Sequence, residues 1–156
     1  MFGQAEVTFA AALGLALARW RHGRRADAIV PLFIFVAVAI EYALKLIVSH
    51  PAPPAESVRT VALLPFIHVP LVNSFPSGHV LRTTFLAAIA RGLPGWIGVV
   101  AVLLMVASRV YLGEHWLSDC VGGLVIGFVV AGVAYALVPK REDSAWTQRP
   151  GAARRR

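Results

Sequence analysis

The chain has 156 residues, a hydrophobic fraction of 58% and a formal net charge of +7. That apolar fraction exceeds the roughly 45–50% usual for soluble domains, and with a mean hydropathy of +0.69 it argues for one membrane-embedded unit rather than a soluble one. A lone cysteine, Cys120, excludes an internal disulfide and a thiolate metal cluster; the basic residues gather at the ends of apolar runs, which fits membrane topology better than nucleic-acid binding.

In chain order the apolar runs are Phe2–Trp20, Ala28–Ser49, His79–Leu93, Gly95–Leu112 and Trp116–Val138. They predict an all-α polytopic bundle of about five transmembrane helices. No basic residue precedes the first run and its basic cluster follows it, which is not the arrangement of a signal peptide. Val61–Asn73 is apolar but interrupted by Pro65 and Pro70, so it is expected to be an interfacial or re-entrant segment. Residues 1–140 thus form the membrane domain, and the basic stretch 141–156, polar and containing Pro and Gly, is expected to be a disordered tail.

Charge sets the expected orientation. Arg19, Arg21, Arg24 and Arg25 follow the first run, Arg91 the third, and Lys140, Arg141, Arg149 and Arg154 to Arg156 the fifth. With five spans these fall on one side, which the positive-inside rule makes cytoplasmic together with the C-terminus. The opposite, extracytoplasmic side then collects Lys45, the prolines 51, 53 and 54, Ser77 to His79, Ser108, Arg109 and His115.

Ionisable groups at a membrane edge cost roughly 2.5–3.5 kcal/mol each on insertion scales, so they mark function by default. Pro76-Ser77-Gly78-His79 opens an apolar helix: Ser77 can cap it, Gly78 lets a ligand approach the backbone, and the helix N-terminus favours an anion. His115 and Asp119, four apart at the start of the last run, share a helix face. A carboxylate there fixes the imidazole tautomer and leaves the second nitrogen as nucleophile or base. Ser108-Arg109 supplies a planar fork suited to phosphate oxygens, and Lys45 a second cation with Glu41 four residues before it. His50, His68, His79, His115 and Asp119 also contain metal-ligating types, but no HExxH or Cys/His spacing joins them, so no metal is expected.

Together these residues resemble the type 2 phosphatidic acid phosphatase superfamily, membrane lipid phosphatases related to vanadium haloperoxidases. The family pattern is Lys, six residues, Arg-Pro; then Pro-Ser-Gly-His; then Ser-Arg, five residues, His, three residues, Asp. The second matches Pro76 to His79, and the third matches Ser108-Arg109, His115 and Asp119. The resemblance implies that His115 is the nucleophile forming a phosphohistidine, that Asp119 orients it, and that His79 protonates the leaving group. It implies that Lys45, Ser77, Gly78, Ser108 and Arg109 hold the phosphoryl oxygens, with no metal or other cofactor.

The first motif departs, because Ala52 stands where the family has arginine. Arg82, one helical turn beyond His79, is the expected replacement, with a plain pairing role as its alternative; Arg59 and His50 are weaker substitutes. The family commonly has six spans, one more than is counted here.

The expected substrate is a lipid phosphate or diphosphate, with isoprenyl diphosphates such as undecaprenyl diphosphate favoured, and phosphatidylglycerophosphate or phosphatidate compatible. A non-catalytic lipid-phosphate-binding or transport protein is the alternative. Gly123 and Gly127 form a GxxxG pattern that serves close helix packing, either internally or in a homo-oligomer.

Overall fold

Residues 5–59, 73–90 and 92–138 are described in a computed structural model of the chain, and among them there are five α-helices and no strand. These are α1 (Ala5–Arg21), α2 (Ile34–Ile47), α3 (Gly78–Ile89), α4 (Gly95–Tyr111) and α5 (Leu117–Leu137). Each answers to one predicted apolar run. The expected re-entrant segment lies outside the described residues apart from Asn73, as does the basic tail.

Local chemistry explains where the helices begin and end. Pro31 sits at the start of a 3₁₀ turn, Val30–Phe33, that leads directly into α2, as its fixed φ and missing N–H allow. Pro94 precedes α4 in the same way. After α4 the chain reverses at Gly113, whose φ of +66° L side chains rarely adopt. A Cβ on Gly113 would also lie 2.2 Å from the Ser57 carbonyl oxygen.

α3 is the central helix. Val80, Leu81, Thr84, Phe85 and Ile89 on it are fully buried, and the main apolar core joins Leu81, Phe85 and Ile89 to Ala12, Ile34, Ala37, Val130 and Ala134 from the surrounding helices. It is shorter than the run His79–Leu93 suggested. Its 12 residues extend about 18 Å at 1.5 Å per residue, less than the ~30 Å hydrocarbon thickness of a bilayer.

The packing of α5 on α3 shows the internal role expected of the GxxxG pattern. A Cβ on Gly123 would lie 2.5 Å from the Ser77 carbonyl oxygen, and one on Gly127 2.6 Å from that of Leu81. Both glycines are buried inside the chain. The GxxxG face is therefore filled by α3, the internal one of the two packings expected of it.

The outer surface is apolar. Leu103, Leu104, Phe128 and Leu137 are each more than half exposed, an arrangement that suits hydrocarbon rather than water. Two helical stretches, Val30–Ile47 and Leu117–Leu137, are long and apolar enough to cross a membrane.

Candidate active site

The C-terminal ends of α2 and α4 and the N-terminal ends of α3 and α5 carry the predicted site residues. Lys45 comes from the last turn of α2, His79 from the first turn of α3, and Arg109 from the last turn of α4. His115 stands in the turn before α5, and Asp119 in the first turn of α5.

Asp119 is the best-defined member. Its side chain is fully buried. Oδ2 accepts the Trp116 backbone N–H at 3.0 Å, closing the start of α5 as an acidic residue at the third helical position can. The same oxygen lies 3.3 Å from His115 Nδ1, so the predicted four-residue pairing is present. With Nδ1–H directed at the carboxylate, Nε2 carries the lone pair. The backbone ties this couple to α3, because the Asp119 carbonyl accepts the Ser77 N–H at 2.9 Å.

Burial lowers the pKa of His115 below its ordinary 6.5, and the Lys45 charge lowers it further, while Asp119 pulls the other way. Desolvation disfavours imidazolium and so favours the neutral, nucleophilic ring. Arg109, Arg82 and His115 are the charged or titratable side chains within electrostatic reach of His79.

The start of α3 differs from the expected capped helix. Ser77 is the N-cap residue, with φ −69° and ψ 107°, but its side chain makes no capping hydrogen bond. Its hydroxyl is buried without a hydrogen-bond partner among the described residues. Gly78 is required by close approach: a Cβ there would fall 1.9 Å from Glu41 Oε1.

Glu41 is the residue that sequence reasoning undervalued. It appeared only as a neighbour of Lys45 four residues along α2, whereas the structure brings its carboxylate against α3. Glu41 Oε2 lies 2.5 Å from Arg82 Nη1, and both side chains are buried. Lys45 is directed elsewhere, donating through Nζ to the Ser74 carbonyl at 3.1 Å and the Asn73 carbonyl at 3.5 Å. Arg82, expected to stand in for the motif arginine with a pairing role as its alternative, is observed paired with Glu41.

Arg109 also has a carboxylate neighbour, since Nη1 pairs with Glu114 Oε2, and its Nε donates to Ser108 Oγ at 3.3 Å. Ser108 turns its hydroxyl back to the Met105 carbonyl at 2.8 Å, as a serine inside a helix commonly does. Arg59 stacks over the Tyr111 ring at 5.1 Å. The paired arginines and Asp119 leave the site with three cations and three carboxylates.

A family model described as PAP2 superfamily matches residues 26–143. The chain belongs to the PAP2 superfamily. It is 31% identical over 119 residues to the "Putative undecaprenyl-diphosphatase YbjG" of Escherichia coli (strain K12), covering 74% of this chain and 60% of that protein. It is 36% identical over 104 residues to the decaprenylphosphoryl-5-phosphoribose phosphatase of Mycobacterium tuberculosis (strain ATCC 25618 / H37Rv), covering 64% of this chain and 54% of that protein. An undecaprenyl-diphosphatase of Sulfolobus acidocaldarius shares 36% identity over 62 residues, which is 37% of this chain and 30% of that protein. The chain thus spans little more than half the length of the first two relatives. No solved structure matches it.

Proposed function

We propose that this PAP2 chain is an integral-membrane lipid phosphatase that cleaves a phosphate or diphosphate from an apolar lipid, with an isoprenyl diphosphate of the undecaprenyl type as the favoured substrate. The observation that carries the reading is the His115–Asp119 couple, its carboxylate buried and tied through the backbone to Ser77 at the start of α3. The relatives named as prenyl-lipid phosphatases support the substrate class.

In the proposed reaction His115 Nε2 attacks the terminal phosphorus, and the P–O bond to the remaining lipid phosphate breaks. His79 gives its proton to that departing oxygen. Water then attacks the phosphohistidine with His79 as base, releasing inorganic phosphate and restoring His115. Lys45, Arg109, the Ser77 hydroxyl and the Gly78 N–H would hold the phosphoryl oxygens, with Ser108 supporting Arg109. Fixed positive groups aimed at developing charge usually supply the largest catalytic contribution.

For the membrane arrangement we infer five spans, with the site at the extracytoplasmic face and the C-terminus in the cytoplasm. Charge distribution supports this: Arg19 and Arg21 in the last turn of α1, with Arg24 and Arg25 in the segment that follows, are remote in sequence from every site residue. An exposed apolar outer surface would let a prenyl tail remain in lipid while its head enters the site.

A second reading, binding without turnover, is favoured by Ala52 and by the carboxylates that face Arg82 and Arg109. Phosphate release from a panel of lipid phosphates separates the two. Purified protein in detergent with EDTA should release phosphate from an isoprenyl diphosphate, and His115→Ala should not. Binding of the lipid by folded wild type without release would overturn the enzymatic reading.

A further inference from the structure

Asp119 faces a second histidine. Its Oδ2 is engaged by Trp116 N and His115 Nδ1, whereas Oδ1 is buried without an aligned hydrogen-bond donor among the described residues. The group that meets it is His50 Nε2, at 3.2 Å. Ser118 Oγ lies 3.3 Å from the same nitrogen. A buried carboxylate oxygen left without a donor is costly, and a deprotonated Nε2 would set a lone pair against a negative oxygen. The arrangement calls for Nε2–H on His50.

The His50 backbone is held as if for this purpose. Its carbonyl accepts the Ser74 N–H at 2.8 Å and the Ser74 hydroxyl at 3.2 Å. The adjoining Pro51 carbonyl accepts Trp116 Nε1–H at 3.0 Å, and Pro51 and Asn73 form an isolated antiparallel bridge. Asn73 Nδ2 in turn donates to the Lys45 carbonyl at 2.8 Å. The segment after α2 is thereby fastened to both the α3 entrance and the α5 entrance, and the ring is set beside the carboxylate oxygen that His115 does not approach.

We propose that His50 is a positioning residue: it donates Nε2–H to Asp119 Oδ1 and fixes the plane of the carboxylate that orients His115. It touches neither phosphorus nor leaving oxygen. It is not a replacement for the motif arginine, because its ring is directed at a carboxylate. The inference rests on the proposed role of His115 as nucleophile.

Two near-isosteric variants of the full chain test it. His50→Gln keeps an N–H donor at similar reach, and His50→Met keeps the bulk without the donor. Two readouts are taken in detergent: steady-state phosphate release from undecaprenyl diphosphate, and the His115 tautomer by ¹⁵N-histidine NMR, its signals assigned by their loss in His115→Gln. His50→Met should lower kcat about tenfold with KM within about twofold, while His50→Gln stays within about threefold of wild type. His115 should hold the Nδ1–H tautomer in wild type and His50→Gln and become mixed in His50→Met. Equal kcat in the two variants, or a change confined to KM, overturns the proposal. If wild type releases no phosphate, the enzymatic reading fails by itself. The tautomer comparison then decides the proposal alone, and an unaltered His115 in His50→Met overturns it.

Discussion

The two ends of α3 are treated in opposite ways. At its C-terminus the Ile89 carbonyl accepts Arg19 Nη2–H at 2.5 Å and the Tyr135 hydroxyl at 3.3 Å, and the same guanidinium donates to the Asp27 carbonyl at 3.1 Å. At its N-terminus Ser77 supplies no side-chain cap, and its hydroxyl is buried without a hydrogen-bond partner among the described residues. One end of a helix presents carbonyls and the other N–H groups that lack intrahelical partners, and the N-terminal end attracts anions. A protein arranged for stability alone would close both ends. Closing one with a buried arginine and leaving the other without its cap separates a structural end from the proposed binding end.

The largest effect expected is at the binding end. Asp119→Asn should lower kcat by about a thousandfold or more, because loss of the orienting carboxylate in a comparable couple selects the wrong imidazole tautomer. Phosphate-release kinetics check this, and a mild loss would mean that the couple is structural.

Arg19→Met should act the other way. Removing the donors to the buried Ile89 carbonyl and the part-buried Asp27 carbonyl should cost about 1–3 kcal/mol of stability, read as a lower midpoint of thermal unfolding in detergent, with KM unchanged. Ser77→Ala gives the mirror image. It should leave the unfolding midpoint unchanged or raise it, since it removes an unpartnered buried hydroxyl, yet weaken turnover about tenfold, equivalent to ~1.4 kcal/mol. If Ser77→Ala destabilises and Arg19→Met inactivates, the contrast between the two ends is broken.

Smaller effects sharpen the electrostatics. In the proposed reaction His115 must be neutral to attack, and its pKa lies below the ordinary 6.5. Activity should therefore rise with pH through that lowered value and fall again as His79, the acid of that reaction, loses its proton. Lys45→Met removes one of the charges that depress it, so the acid limb of kcat/KM, which reports the free enzyme, should move to higher pH. Smallest of all, Glu114→Gln should lower KM for a lipid diphosphate by about threefold, under 1 kcal/mol, because it removes the carboxylate that pairs with Arg109.

Much was legible in the sequence because it is local. Apolar run lengths located the five described helices, although α2 begins at Ile34 rather than Ala28, after a 3₁₀ turn, and α3 ends at Ile89 rather than Leu93. The His115–Asp119 couple follows from a four-residue spacing on one turn of chain, and the clustering of Lys45, His79, Arg109 and His115 follows from the alternation of helix direction between successive runs. The PAP2 motifs at residues 76–79 and 108–119 carried the family.

What only the tertiary structure decided are contacts between helices. Glu41 has Lys45 as its neighbour along α2, but the rotation of α2 against α3 places its carboxylate on Arg82 and beside Gly78. The same packing turns Gly123 and Gly127 inward and brings His50 to Asp119 across 69 positions of sequence. Helical periodicity specifies which residues share a face. Which face meets which depends on side-chain interlocking throughout the bundle, and no local spacing encodes it.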